Sequence, residues 1–193
     1  MQQAEFDPEP PTPGTFWGAV QARGDDGGGS PEERAAAIRA AEARLGVCLP
    51  PLLRALYALR DGGYTDFRCH PADPAYQHGS DGWVIIPNGC LHRLAEFTTL
   101  GEMSDSCDFG TGPDGVQDSQ SWRSLVPGVD FLIVIAQQGW DGWLCLDYRA
   151  GPDPGVLLLD TVLEPMLALA APDFDAFFAG LRRPAYLSDG GAT

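Results

Sequence analysis

The spacing of apolar positions changes about a third of the way along the chain. Between Ser30 and Leu45, Ile38, Ala41 and Leu45 repeat at helical spacing, while Arg34, Arg39, Glu42 and Arg44 mostly take the other faces. Ser30-Pro31-Glu32-Glu33 supplies an N-cap, a proline at the first helical position and a glutamate that completes a capping box. Gly46 offers the C-terminal cap. Leu49-Pro50-Pro51 forces a bend, and Leu52, Leu53, Leu56, Tyr57 and Leu59 then predict a second helix ending at Asp61-Gly62-Gly63. Beyond Gly62, glycine, proline, asparagine and aspartate punctuate short runs rich in valine, isoleucine, tryptophan and leucine, as strands require. Strands are predicted at Trp83 to Ile86, Phe131 to Ala136, Trp143 to Tyr148 and Val156 to Leu159. Leu91 to Phe97 reads as a helical turn or a further strand. Thr98 to Val126 has little hydrophobic periodicity and reads as a long loop, functional or disordered. Asp173 then caps Phe174, Phe177, Phe178 and Leu181 at i, i+3, i+4, i+7, with Arg182 and Arg183 at the negative end of the dipole and Pro184 as the stop.

Helices, then strands, then a helix make an α+β plan, with segregated helices covering an antiparallel or mixed sheet. Residues 1–29 form a Pro/Gly-rich arm and linker, partly disordered: four prolines fall within residues 1–14, and Gly24 to Gly29 hold four glycines and two aspartates. Phe16 and Trp17 are too apolar to be left in water and are expected to tack the arm onto the domain. Residues 30–184 form one domain and 185–193 a flexible tail.

Charge narrows the choice of partner. The chain has 193 residues, with 27 Asp and Glu against 12 cations, all of them arginine, for a formal charge of −15. Binding to phosphate backbones or anionic lipid needs clustered cations, so nucleic acid and membrane are not expected partners. The longest apolar run, Val129 to Ala136, contains Asp130 and is far short of the roughly 20 residues that span a bilayer. The start of the chain, with Glu5, Asp7 and Glu9 among prolines, lacks the basic and apolar regions of a secretory signal. Five dispersed cysteines, never in a C-x-x-C pair, make no disulfide framework. A reducing, cytoplasmic location is the expectation.

Chemistry-bearing residues are sparse. Cys69, His70, Cys90 and His92 include the ligand types of tetrahedral zinc, but their spacing departs from the usual pairs and buried thiols are common core filler. A Cys or Ser nucleophile with His78 or His92 as base has no nucleophile elbow or oxyanion glycine run beside it. Gly110-Thr111-Gly112 lacks the lysine of a phosphate-binding loop. Calcium would require an EF-hand ladder ending in glutamate, which is absent. No catalytic residue, metal site or cofactor is assigned, and no enzyme is expected.

Binding is better supported. Glu102, Asp105, Asp108, Asp114 and Asp118 place five carboxylates and no cation within residues 102–118. This is either a solvated loop or an anionic surface for a basic partner. Trp83, Trp122, Trp140 and Trp143 load the chain beyond Gly62 with aromatic area. Trp83 and Trp143 fall in predicted strands and belong to the core, whereas Trp140-Asp141-Gly142 lies in a turn, where a tryptophan is suited to anchor an interface. Asp147, inside an apolar strand, must pair, with Arg149 or with an arginine from the helices.

Three stretches, in order, resemble the SUKH superfamily: Glu42 to Pro50 with Leu52 to Gly63, then Gly82-Trp83-Val84-Ile85-Ile86-Pro87, then Gly142 to Arg149 with Val156 to Asp160 and the Phe-rich closing helix. The likeness spans about residues 32–182. It implies helices packed on one face of a curved, largely antiparallel or mixed sheet, and binding in place of chemistry. Many bacterial members resemble immunity proteins of polymorphic toxin systems, which neutralise a cognate toxin by direct contact, and fungal relatives regulate cell-wall assembly. The resemblance therefore implies a protein partner, a basic toxin domain being the most concrete. An intracellular regulatory scaffold, or a small zinc-binding or hydrolytic protein, is the alternative.

Overall fold

The computed structural model describes residues 6–17, 29–69, 84–85, 89–106, 123, 126–138, 142–160 and 166–184. Among these, the chain runs α1 (Pro13–Phe16), α2 (Pro31–Leu45), α3 (Pro51–Leu59), β1 (Gly63–Tyr64), β2 (Arg68–Cys69), β3 (Val84–Ile85), β4 (Cys90–Leu91), β5 (Thr98–Thr99), α4 (Leu100–Ser106), β6 (Leu132–Gln138), β7 (Gly142–Asp147), β8 (Gly155–Asp160), β9 (Met166–Ala171) and α5 (Phe174–Gly180). Short 3-10 turns precede β5, at Leu94–Glu96, and β6, at Val129–Phe131. The α+β class stands.

The caps legible in the sequence are formed. The Ser30 hydroxyl accepts the Glu33 N–H, and the Glu33 carboxylate accepts the Ser30 N–H at 2.6 Å. Gly46 closes α2 in the left-handed region, with φ of 68°. Asp173 accepts the Ala176 N–H at 2.7 Å and starts α5. After α3, Gly62 is required as glycine: its φ is +77°, and a Cβ there would lie 2.7 Å from the His92 carbonyl oxygen. That close approach lets the Tyr57 hydroxyl donate to the same carbonyl at 2.5 Å, fixing α3 against the chain that leads to the sheet.

Strands β5-β6-β7-β8-β9 form one antiparallel sheet in chain order. Side chains alternate across it. Ile133, Ile135, Leu144, Leu146, Val156 and Leu158 face a core shared with Ile38 and Ala41 of α2, Leu53, Leu56 and Tyr57 of α3, and Phe174, Phe177 and Phe178 of α5. The opposite face is also covered. Leu132, Val134, Trp143, Cys145, Leu157 and Leu159 pack beneath Leu100, Met103, Val126 and Val129. Trp143 is 1 % exposed, a core residue as its strand position implied. Each large apolar side chain so buried contributes about 1.5–3 kcal/mol.

Several expectations are corrected. The stretch from Thr98 to Val126, read as a loop, opens with strand β5 and then helix α4, which buries Leu100 and Met103 over the sheet. Strand β9 was not expected: Met-Leu-Ala-Leu-Ala-Ala has the composition of a helix, and pairing with β8 overrides it. Leu91 to Phe97 is both alternatives in turn, a strand end and then a 3-10 turn. Trp83 lies outside the described residues, and the strand predicted around it is described only as Val84–Ile85, paired with β2. Phe16 and Trp17 do fasten the N-terminal segment. Phe16 is 1 % exposed and stacks on Phe67 at 6.0 Å, while the Trp17 indole donates to the Leu56 carbonyl.

Candidate protein-binding surface

Antiparallel order sends alternate connections to opposite ends of the sheet. Thr98 pairs with Val134, Leu132 with Asp147, Asp147 with Gly155, and Val156 with Ala171. The segments that leave β5 and β9, enter β6, and join β7 to β8 therefore share one end. That end is acidic. It gathers Glu102 and Asp105 of α4, Asp130 of the turn before β6, and Asp147 at the end of β7. Asp153 of the β7–β8 connection and Asp173 and Asp175 at the start of α5 lie there too.

Five of these carboxylates are occupied within the fold, Asp173 by capping α5. Thr99 and Glu102 make a capping box: the Thr99 hydroxyl accepts the Glu102 N–H at 3.0 Å, and the Glu102 carboxylate accepts the Thr98 hydroxyl at 2.9 Å and the Thr99 N–H at 3.2 Å. The Thr98 hydroxyl, and then the Thr99 N–H, hold the Glu102 carboxyl below its ordinary range. Arg123 bridges two acids, with its guanidinium 2.8 Å from Asp105 and 2.7 Å from Asp130. Its hydrogen bonds depress the Asp105 pKa. Gly101 makes room for this bridge, because a Cβ there would run into the Asp130 carboxylate. Asp147 pairs with Arg149 at 2.8 Å, as its place in an apolar strand demanded. Burial raises its pKa, but the hydrogen bonds from Arg149 outweigh burial and the net shift is downward.

The other part of this end is a cleft of about 530 Å³ between the start of α3, the β7–β8 connection and the start of α5. Leu49, Pro50, Pro154 and Phe174 are buried and make an apolar floor. Cys48, Arg54, Asp153, Asp173 and Asp175 are exposed at the rim. The Tyr148 hydroxyl donates to the Cys48 carbonyl at 2.8 Å and anchors the wall beside α3. Asp173 caps α5, whereas Asp153 and Asp175 have no ion-pair partner among the described residues.

Of the residues singled out from sequence, Glu102 and Asp105 are brought to this end, while Asp108, Asp114, Asp118, Trp140 and Asp141 lie outside the described residues. The described residues flanking Trp140 and Asp141 are Gln138 and Gly142, which pair at the opposite end of the sheet. Six residue steps along β6, about 20 Å, separate Gln138 from Leu132 beside α4. Sequence reasoning missed the cleft, Arg123 as the partner of Asp105, and the acids contributed singly by Asp130, Asp153 and Asp175. One signal was present: Thr99-Leu100-Gly101-Glu102 has capping-box spacing.

The candidate ligands for zinc are set in separate strand pairs. Cys69 pairs with Val84, and Cys90 pairs with Tyr64. Burial pushes the Cys69 thiol up to about 12 and lowers the His92 pKa. His70 and His78 lie outside the described residues. Among the described residues no group of three or more His, Cys, Asp or Glu is placed to hold a metal ion. No helix among them is long and apolar enough to cross a membrane.

No curated protein and no solved structure matches this chain. The model of the SMI1 / KNR4 family (SUKH-1) matches residues 34–180, from the first turn of α2 to the last residue of α5. That span takes in both helices that pack on the sheet from its N-terminal side, all five strands of the large sheet, and the closing helix. The chain belongs to the SMI1 / KNR4 family (SUKH-1).

Proposed function

We propose that this chain is a cytoplasmic protein-binding module of immunity type, which neutralises a cognate bacterial toxin by direct contact and performs no chemistry of its own. Family membership over residues 34–180 is the observation that carries the reading. The formal charge of −15 and the collection of carboxylates at one end of the sheet support a basic partner, such as a toxin domain whose substrate groove is positive. Exclusion is then the mechanism. The acidic end docks on the positive patch, Asp108, Asp114, Asp118, Trp140 and Asp141 are proposed as further contacts, and the toxin's substrate is shut out.

Proteins co-purified from the native host test this reading. The captured partner, expressed alone in a bacterial strain, is expected to arrest growth, and co-expression of this chain is expected to restore it. A partner that is harmless alone would contradict immunity and favour the regulatory scaffold.

A further inference from the structure

We infer that the cleft at the acidic end of the sheet seats an arginine or lysine side chain, carried on an apolar segment of a protein partner. The inference rests on the reading of this chain as a protein-binding module and assigns a place and a chemistry to the contact.

Shape is the first argument. About 530 Å³ is in the range of cavities that enclose organic groups, and the floor is the apolar set Leu49, Pro50, Pro154 and Phe174. Proline at positions 50, 51, 152 and 154 fixes φ along two walls, so little backbone freedom is lost when a ligand enters. Charge is the second. Asp153, Asp173 and Asp175 surround the mouth, against the single cation Arg54, which already lies 3.8 Å from Glu42. The N-termini of α3 and α5 also face this region, and the carboxylates outweigh the partial positive charge of about half a unit that each carries. An anion is thus disfavoured.

A bare metal ion fits no better, since an apolar floor supplies no oxygen ligands and the three carboxylates sit at a rim. The matching occupant has an apolar stem and a cationic head, which describes the side chains of arginine and lysine. Asp153 and Asp175 are exposed and take no part in capping or ion pairing among the described residues, so both are available to the head group.

Amide shifts of the isotopically labelled full chain, titrated with the peptide acetyl-Leu-Arg-Leu-amide, test the proposal. Saturable shifts are expected at Leu49, Arg54, Asp153, Phe174 and Asp175, weakening with salt and reduced at least tenfold in affinity by the double substitution Asp153→Asn/Asp175→Asn. The single substitution Asp153→Asn, on an exposed turn, gives a second reading with an intermediate loss. Shifts that do not saturate, that are equal for the peptide with glutamine in place of arginine, that are reproduced by spermidine at the same affinity, or that ignore both variants would each overturn it. Failure here is separable from failure of the immunity reading. A captured toxin whose affinity is indifferent to Asp153→Asn/Asp175→Asn removes the cleft and leaves immunity standing; specific peptide binding beside a harmless partner does the reverse.

Discussion

Two groups of carboxylates share one end of the sheet and meet opposite fates. Asp105 and Asp130 converge on Arg123, at 2.8 and 2.7 Å, and half of their charge is answered within the fold. Asp153 and Asp175 flank a cleft that Arg54 also lines, yet neither forms an ion pair among the described residues. Exposed ion pairs add little stability, yet each cancels part of the field a partner would feel. The density of acids in a stretch of sequence therefore says less about a binding surface than does the location of the arginines that answer them. Residues 102–118 contain no arginine, and the one that neutralises Asp105 arrives from position 123.

The largest effect is expected where the cleft meets the core. Phe174 is 3 % exposed, forms part of the cleft floor and packs 5.8 Å from the Phe177 ring. Phe174→Ala should cost about 3–5 kcal/mol in urea unfolding. An unchanged midpoint would mean that the cleft is not continuous with the core. On the Arg123 side the support is lighter. Glu102→Ala removes half of the capping box of α4 and should cost about 1 kcal/mol by the same measurement.

Acid titration sharpens the contrast further. Asp105 has its folded pKa held below 3.8 by hydrogen bonds from Arg123, so its contribution is whole above that value and drains away as pH falls through the depressed one. Arg123→Gln should make stability fall less steeply on the acid side, and an identical acid limb would show the bridge to be absent in solution. Smallest of all, Asp153→Asn should leave the unfolding midpoint where it is, because this side chain is exposed and has no ion-pair partner among the described residues. A clear loss would reveal a structural role and remove it from the docking surface.

Much of this arrangement was legible. Ser30, Gly46 and Asp173 announced their caps, because capping is local and its residues lie within four positions of one another. Strands β6 and β7 were visible as apolar runs, since both faces of the sheet are covered and neither shows strict alternation. Helix α4 was hidden by its length: seven residues give too few turns for a period to show, and only the Thr99 and Glu102 pair marks it. Strand β9 was hidden by alanine, whose helical preference yields to pairing with β8. The cleft had no sequence signature. Pro154 and Phe174 meet because antiparallel register returns β7, β8 and β9 to the same end, and the Tyr148 hydroxyl ties Cys48 to them, consequences of tertiary pairing that no short window contains.

The central claim is that this chain acts by offering its acidic end to a basic protein. The association rate of the captured partner, measured from low to high ionic strength, tests it most directly. The account predicts a rate that falls steeply with salt, a flatter and slower profile for Asp153→Asn/Asp175→Asn, and a faster low-salt rate for Arg123→Gln, which unmasks Asp105 and Asp130. A rate indifferent to salt and to all of these substitutions would contradict it.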